Sequence, residues 1–187
     1  MAQPGTWFNA DGLKVKMPGY AQNDANFVNV PREVRTAGNL KQIVIDYDFV
    51  QAVADGGTTF TSDLNNDGTK DGFNTGDTYL PANASVVRVT MIASEAATGG
   101  TSWTIGTYTQ AGAAIAATSL MTATEGVIAN QNAIGKRIYG AGALVSTSAG
   151  TAGVGTADAY IAMVTTGTFT AGKGKIIIEY LTPLADA

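Results

Sequence analysis

The chain has 187 residues, of which 45% are hydrophobic, 14% charged and 23 glycine, with a net charge of −4 and neither Cys nor His. Such a length supports one domain with a core of its own, and the low charge and high glycine content match β-rich structural proteins. The missing residue types exclude disulfides, thiolate and imidazole metal sites, His-based triads and a His pH switch, and an acidic balance without a Lys/Arg run argues against nucleic-acid partners.

The opening MAQPGTWFNADG has neither the basic nor the apolar region of a signal peptide, and no segment has the length of a membrane span. The expectation is therefore synthesis in the cytoplasm, with no membrane partner. Residues 1–39 are broken by Gly, Pro and Asn, and only LKVKM and NFVNV look like short strands. Such a segment cannot build its own core. It is expected to lie as an extended, mildly basic arm against the domain or a neighbour, anchored by Trp7, Phe8, Tyr20 and Phe27.

From Leu40 to Ala54, LKQIVIDYDFVQAVA alternates at period two, with Ile43, Ile45, Tyr47 and Phe49 on one face and Val44, Asp46, Asp48 and Val50 on the other. The pattern predicts an amphipathic strand. An acidic region overlaps it, because Asp46, Asp48, Asp55, Asp63, Asp67, Asp71 and Asp77 face only Lys70.

Within that region, DLNNDGTKDGFN (Asp63–Asn74) has the spacing of a calcium loop. Asp63, Asn65 and Asp67 take positions 1, 3 and 5, Gly68 the turn position, Thr69 a carbonyl position and Asp71 position 9. The bidentate acid expected at position 12 is replaced by Asn74, and no amphipathic helices flank the loop, so an EF-hand is excluded. The spacing is closer to the calcium loops of dockerin-like and thrombospondin type 3 repeats, with Asp77 as an outside donor. A bound calcium would be structural, relieving repulsion among the carboxylates. The same residues also read as an exposed turn in which Asn and Asp bond their own backbone.

Leu80–Tyr108 reads as a proline turn, a strand, a Gly99-Gly100 turn and a return strand, together a hairpin. In its first strand Val87, Val89, Met91 and Ala93 share a face opposite Val86, Arg88, Thr90 and Ile92; in the second, Trp103, Ile105 and Thr107 share one. The low-complexity stretch Gln110–Gly135 is ambiguous between helix and covering loop, with a helical turn expected near Ser119–Gly126. RIYGAGALV, AYIAMVTTGTF and KIIIEYL read as three further strands. Seven or eight strands in residues 40–187 predict an all-β fold, an antiparallel β-sandwich of jelly-roll type.

Little in this pattern carries chemistry. Asp46 and Asp48 form a close carboxylate pair, but polar residues on the outer face of a strand are expected and nothing else supplies a cleft. Gly140, Gly142, Gly150, Gly153 and Gly155 fit neither a dinucleotide-binding nor a phosphate-binding loop and read as turns and close-packed positions. Trp7, Tyr20, Trp103, Tyr108, Tyr139 and Tyr160 read as packing anchors before a sugar platform.

Several segments together resemble a known group. WFNADGLKVK (Trp7–Lys16), LKQIVIDYD (Leu40–Asp48), LPANASVVRV (Leu80–Val89), WTIGTY (Trp103–Tyr108), EGVIA (Glu125–Ala129) and GKGKIIIEYL (Gly172–Leu181) are similar to small structural proteins of tailed bacteriophages, the head decoration or cement proteins. The Asp63–Asp77 stretch departs from that pattern, so calcium is not implied by it. The resemblance implies a non-enzymatic virion protein on the outer capsid surface. Its partners would be the major capsid protein and further copies of itself, reached through the N-terminal arm. A host-surface glycan-binding module using the Asp63–Asp77 loop, and a tail or head-tail connector component, are the alternatives.

Overall fold

A computed structural model describes residues 6–8, 14–16, 31–35, 40–54, 72–73, 79–145 and 153–182, the first three segments as backbone only. Three short strands come first: β1 (Thr6–Phe8) and β2 (Lys14–Lys16), which pair antiparallel, and β3 (Pro31–Arg35). Then follow β4 (Leu40–Asp48), the helix α1 (Phe49–Ala54), β5 (Tyr79–Leu80), β6 (Ser85–Gly99), β7 (Ser102–Tyr108) and β8 (Ala114–Met121). A 3-10 turn at Ile128–Asn130 precedes β9 (Arg137–Tyr139), β10 (Ala159–Thr166) and β11 (Phe169–Leu181).

Apart from the two-stranded β1–β2 pair, the strands form two packed sheets, a five-stranded one of order β3-β4-β11-β6-β9 and a four-stranded one of order β5-β10-β7-β8. Every ladder is antiparallel. With β3 set aside, the first of the eight remaining strands pairs with the last and the second with the seventh. This is the double Greek-key order of a jelly roll, so the expected all-β sandwich stands. β3 adds a further strand beside β4, pairing Pro31 with Ile45 and Arg35 with Lys41.

The core lies between the sheets because the alternating strands turn one face inward. Ile43, Ile45 and Tyr47 of β4, Val89 and Met91 of β6, and Ile176, Ile178 and Tyr180 of β11 meet Leu80, Trp103, Ile105, Ile161 and Met163. At the centre, Phe49 lies 4.7 Å from Trp103 and stacks on Phe169 at 4.4 Å. Burying each such ring contributes roughly 2–3 kcal/mol. The hydroxyl of Tyr47, also buried, donates to Gln131 Oε1 at 3.1 Å.

Five expectations need correction. The Leu80–Tyr108 segment is no hairpin: β6 pairs with β11 and β9, whereas β7 pairs with β10 and β8, so the chain crosses between sheets as an arch. Gly99 and Gly100 do turn it, with φ of 67° and 62°, a conformation costly for residues bearing a Cβ. A second arch from β10 to β11 runs beside it, and Gly100 N–H donates to Thr168 O at 2.6 Å and Thr101 N–H to Thr166 O at 2.8 Å.

The strand expected over Leu40–Ala54 stops at Asp48, whose side chain caps α1, and only the helix carries the chain on to Ala54. The helical turn expected near Ser119–Gly126 is confined to Thr122–Gly126, where Gly126 N–H donates to Thr122 O at 3.0 Å, because Ser119–Met121 are the end of β8. There Glu125 Oε2 accepts the N–H and hydroxyl of Thr122 at 2.8 and 2.6 Å. RIYGAGALV is extended only over Arg137–Tyr139. Finally, β6 does not keep a strict alternation: Arg88 pairs with Glu179 and Val86 with Tyr180, so Val87 is an extra, bulged residue. Val86 therefore joins the core, and Val87 faces out.

Candidate interaction surfaces

The two sheets differ in charge. The strands β3, β4, β6, β9 and β11 of one sheet carry Arg32, Glu33, Arg35, Lys41, Asp46, Asp48, Arg88, Glu95, Arg137, Lys173, Lys175 and Glu179, whereas β5, β7, β8 and β10 of the other carry no charged residue at all. Between Glu95 and Glu125 the sequence has no charge, and that stretch supplies two of the four neutral strands.

On the charged sheet the ions are matched across the strands. Lys175 pairs with Asp46 and Lys173 with Asp48, the latter at 3.2 Å, each directly opposite its partner in the β4–β11 register. Arg88 meets Glu179 at 2.8 Å across β6–β11. The hydrogen bond and charge of Glu179 raise the affinity of Arg88 for its proton, and those of Asp48, with the charge of Glu95, do the same for Lys173. The cations of these pairs are exposed, whereas Asp48 is buried and Asp46 and Glu179 are partly buried; with one partner in solvent each pair contributes little individually, and their effect is to fix register and keep the face hydrated. Asp46 and Asp48, the carboxylates that sequence spacing brought together, are thus each held by a lysine.

Beside them lies a shallow hollow of about 180 Å³, lined by Gln42, Arg88, Thr90, Ile92, Arg137, Tyr139, Ile177 and Glu179. Tyr139 is 54% exposed at its rim. Among the described members of the expected aromatic set it is the one that solvent reaches; Trp103 lies in the core, and Tyr108 and Tyr160 are buried. Trp7 and Tyr20 lie outside the residues whose side chains are described.

The neutral sheet is apolar on its outer face as well. Tyr108, Tyr160 and Ala162 form a second buried cluster there, closed by Phe73, which stacks on Tyr160 at 5.0 Å. Phe73 N–H donates to Gln110 O at 2.8 Å, so it is fixed by backbone as well as by its ring. Burial pushes the Tyr108 phenol above its ordinary pKa. Sequence reasoning placed Phe73 in a calcium loop and missed its role as an anchor; a lone aromatic in an Asp- and Gly-rich stretch was the available signal.

The candidate calcium ligands Asp63, Asn65, Asp67, Thr69 and Asp71 lie outside the described residues, as does Asp77. Among the described residues no group of three or more acidic, His or Cys side chains is placed to hold a metal ion. No described helix is long and apolar enough to cross a membrane.

No family model matches the chain, and no curated protein does. Among solved structures it is similar to a chain of the cyanophage Pam1 capsid asymmetric unit, at 16% identity and a TM-score of 0.43, over 88% of this chain and 99% of that one.

Proposed function

We propose that this chain is a non-enzymatic structural protein of a bacteriophage virion, seated on the outer surface of the head as a decoration or cement protein. The observation that carries this reading is the segregation of charge between the two sheets. A free-standing sandwich gains solubility from charge on both faces, whereas one seated on a larger body needs a hydrated face and a neutral contact side; Phe73 closes the centre of the neutral sheet's outer face, and what is left open around it, Thr104, Val164 and Thr166 among others, is uncharged. The sequence resemblance supports it, since most of its motifs fall on the frame strands β4, β6, β7 and β11. Jelly rolls recur in viral capsid proteins but also in lectins and cupins, so the fold alone does not select the function.

In this reading the partners are the major capsid protein and further copies of the chain, reached through residues 1–39. Calcium at Asp63, Asn65, Asp67, Thr69 and Asp71 would act structurally, and a rise in melting temperature on adding calcium, lost in D67N, tests it. The central experiment is co-sedimentation of purified protein with capsids that lack it. Saturable binding at hundreds of copies per particle, with greater resistance to heat and osmotic shock, is expected. Absence of binding, or a few copies per particle as in a tail or connector component, overturns it.

A second reading, a host-surface glycan-binding module, is favoured by one observation: exposed Tyr139 beside a hollow lined with Gln42, Arg88 and Glu179. Binding on a glycan array that Tyr139→Ala abolishes would support it.

A further inference from the structure

Arg137 stands apart from the other cations of the charged sheet. Lys173, Lys175 and Arg88 are each matched with a carboxylate, and Lys136 donates to Ala129 O at 2.7 Å. The exposed guanidinium of Arg137 has no ion pair among the described residues.

The sheet register places that cation over the hollow. In the β6–β9 ladder Arg137 lies opposite Ile92 and Tyr139 opposite Thr90, so both rise from the outer face with their Cα atoms roughly 7 Å apart. They form one wall, and the Arg88–Glu179 pair forms the other. Between the walls lie Ile92 and Ile177, half-buried, and Thr90, buried. Although β9 is short, it is pinned at both ends: Ala93 N–H donates to Lys136 O and Gly140 N–H to Val89 O, each at 2.9 Å. The backbone that carries Arg137 and Tyr139 is therefore set before any ligand arrives, which lowers the entropy lost on binding.

We infer that the hollow takes a carboxylate-bearing sugar residue, with Arg137 forked onto the carboxylate and Tyr139 against the ring. Charge selects the anion. Glu179 already answers Arg88, so Arg137 leaves one positive charge uncompensated, and its parallel N–H donors match a carboxylate bidentately. A phosphate monoester, with nearly two negative charges, would meet a single unmatched cation. The rest of the hollow selects the body of the ligand. An exposed tyrosine ring and isoleucine side chains suit the C–H face of a sugar, while Gln42 and Glu179 offer a donor and acceptors for its hydroxyls. About 180 Å³ is room for one ring, below the roughly 300 Å³ and upward of pockets for drug-sized ligands. The inference rests on the glycan reading and narrows it; because the hollow is on the charged sheet, a chain seated through its neutral side would keep it open.

The test is a glycan array carrying uronic-acid, sialic-acid, sulfated and neutral oligosaccharides, followed by calorimetric titration of the best-bound carboxylated sugar and of its carboxyl-reduced form. Binding is expected only to carboxylated sugars, with carboxyl reduction and Arg137→Ala each raising Kd at least about tenfold. Arg137→Lys should recover part of the loss, because lysine supplies a charge without the fork, and Lys173→Ala, a cation outside the hollow, should stay within about twofold. Near-UV circular dichroism verifies the fold, and should Arg137→Ala disturb β9, Arg137→Gln, which keeps more of the side chain, reads the same outcome. Binding to neutral sugars that Tyr139→Ala abolishes and Arg137→Ala leaves intact keeps the glycan reading and overturns the inference; an array without binding overturns both. Sulfated sugars bound as tightly as carboxylated ones, or an aspartate-rich peptide competing equally well, overturns it too.

Discussion

Asp48 and Lys173 tie the end of β4 to β11 at the point where β4 becomes α1. One carboxylate oxygen of Asp48 accepts the N–H groups of Val50 and Gln51 at 2.9 and 3.3 Å, and the other lies 3.2 Å from Lys173 Nζ. The two roles are separable. Asp48→Ala loses the cap as well as the pair and should cost about 1–2 kcal/mol in urea denaturation, whereas Asp48→Asn keeps a capping oxygen and should cost under about 1 kcal/mol.

Alkali should destabilise the fold. Tyr47 and Tyr108 have their phenol pKa values raised above 10.0 by burial, and Lys173 is raised above 10.5 chiefly by its hydrogen bond to Asp48. Each therefore holds its proton longer in the folded state. Their contribution is fully present below the unfolded values and is lost as pH climbs through the folded ones, so stability should fall from about pH 10 upward. Denaturant titrations between pH 8 and 11 check this. In Tyr47→Phe the fall should be shallower by up to one proton, from a lower starting stability because Gln131 Oε1 loses its donor.

Gly100→Ala should be more damaging than an ordinary glycine substitution. A Cβ there would lie 2.4 Å from the Phe169 ring at φ 62°, whereas at Gly135, φ 80°, it meets nothing within 4 Å. Gly135→Ala should cost about 1–2 kcal/mol from backbone conformation alone. Gly100→Ala adds displacement of a core ring and should cost at least about 1 kcal/mol more. Thermal melts of the two variants give the difference.

Phe73→Ala should open the outer cluster without dismantling the sandwich. Phe73 is fully buried against Tyr160 outside the main core. A loss of about 3 kcal/mol is expected, with Tyr108 and Tyr160 becoming open to nitration by tetranitromethane while Tyr47 stays protected. Unchanged nitration would mean that other residues cover those rings.

Local alternation was legible in the chain, and partner choice was not. Ile43, Ile45 and Tyr47 announce their common face because burial selects every second residue. The same period ran on through Phe49, hiding the helix, because Phe49 points inward from either conformation. Gly99-Gly100 announces a turn, but positive φ serves a hairpin and an arch equally; the choice between them is made by β10 and β11, some sixty residues later. β8 escaped notice because Ala, which fills three of its eight positions, is depleted in strands, and the segment follows the template of β7. Val87 read as core because a bulge leaves no mark in the alternation of its neighbours. Of the surfaces, the ion pairs could not be read without the β4–β11 register, whereas the uncharged run from Ala96 to Thr124 stood in plain view and gained meaning only once it was found to supply strands of a single sheet.

The position of β11 also sets the order of events during synthesis. It is the last described strand to leave the ribosome, yet it lies between β4 and β6, which have no ladder with each other. Until it emerges, β4 has only β3 beside it and β6 only β9, so the sheet is split in two and every nascent chain passes through a stage with that half of the core open. Such long-range closure is slow and exposes apolar surface to other chains. A premature stop before Ile176 should thus yield an insoluble product rather than a smaller working domain, leaving no partial copies to compete with complete ones.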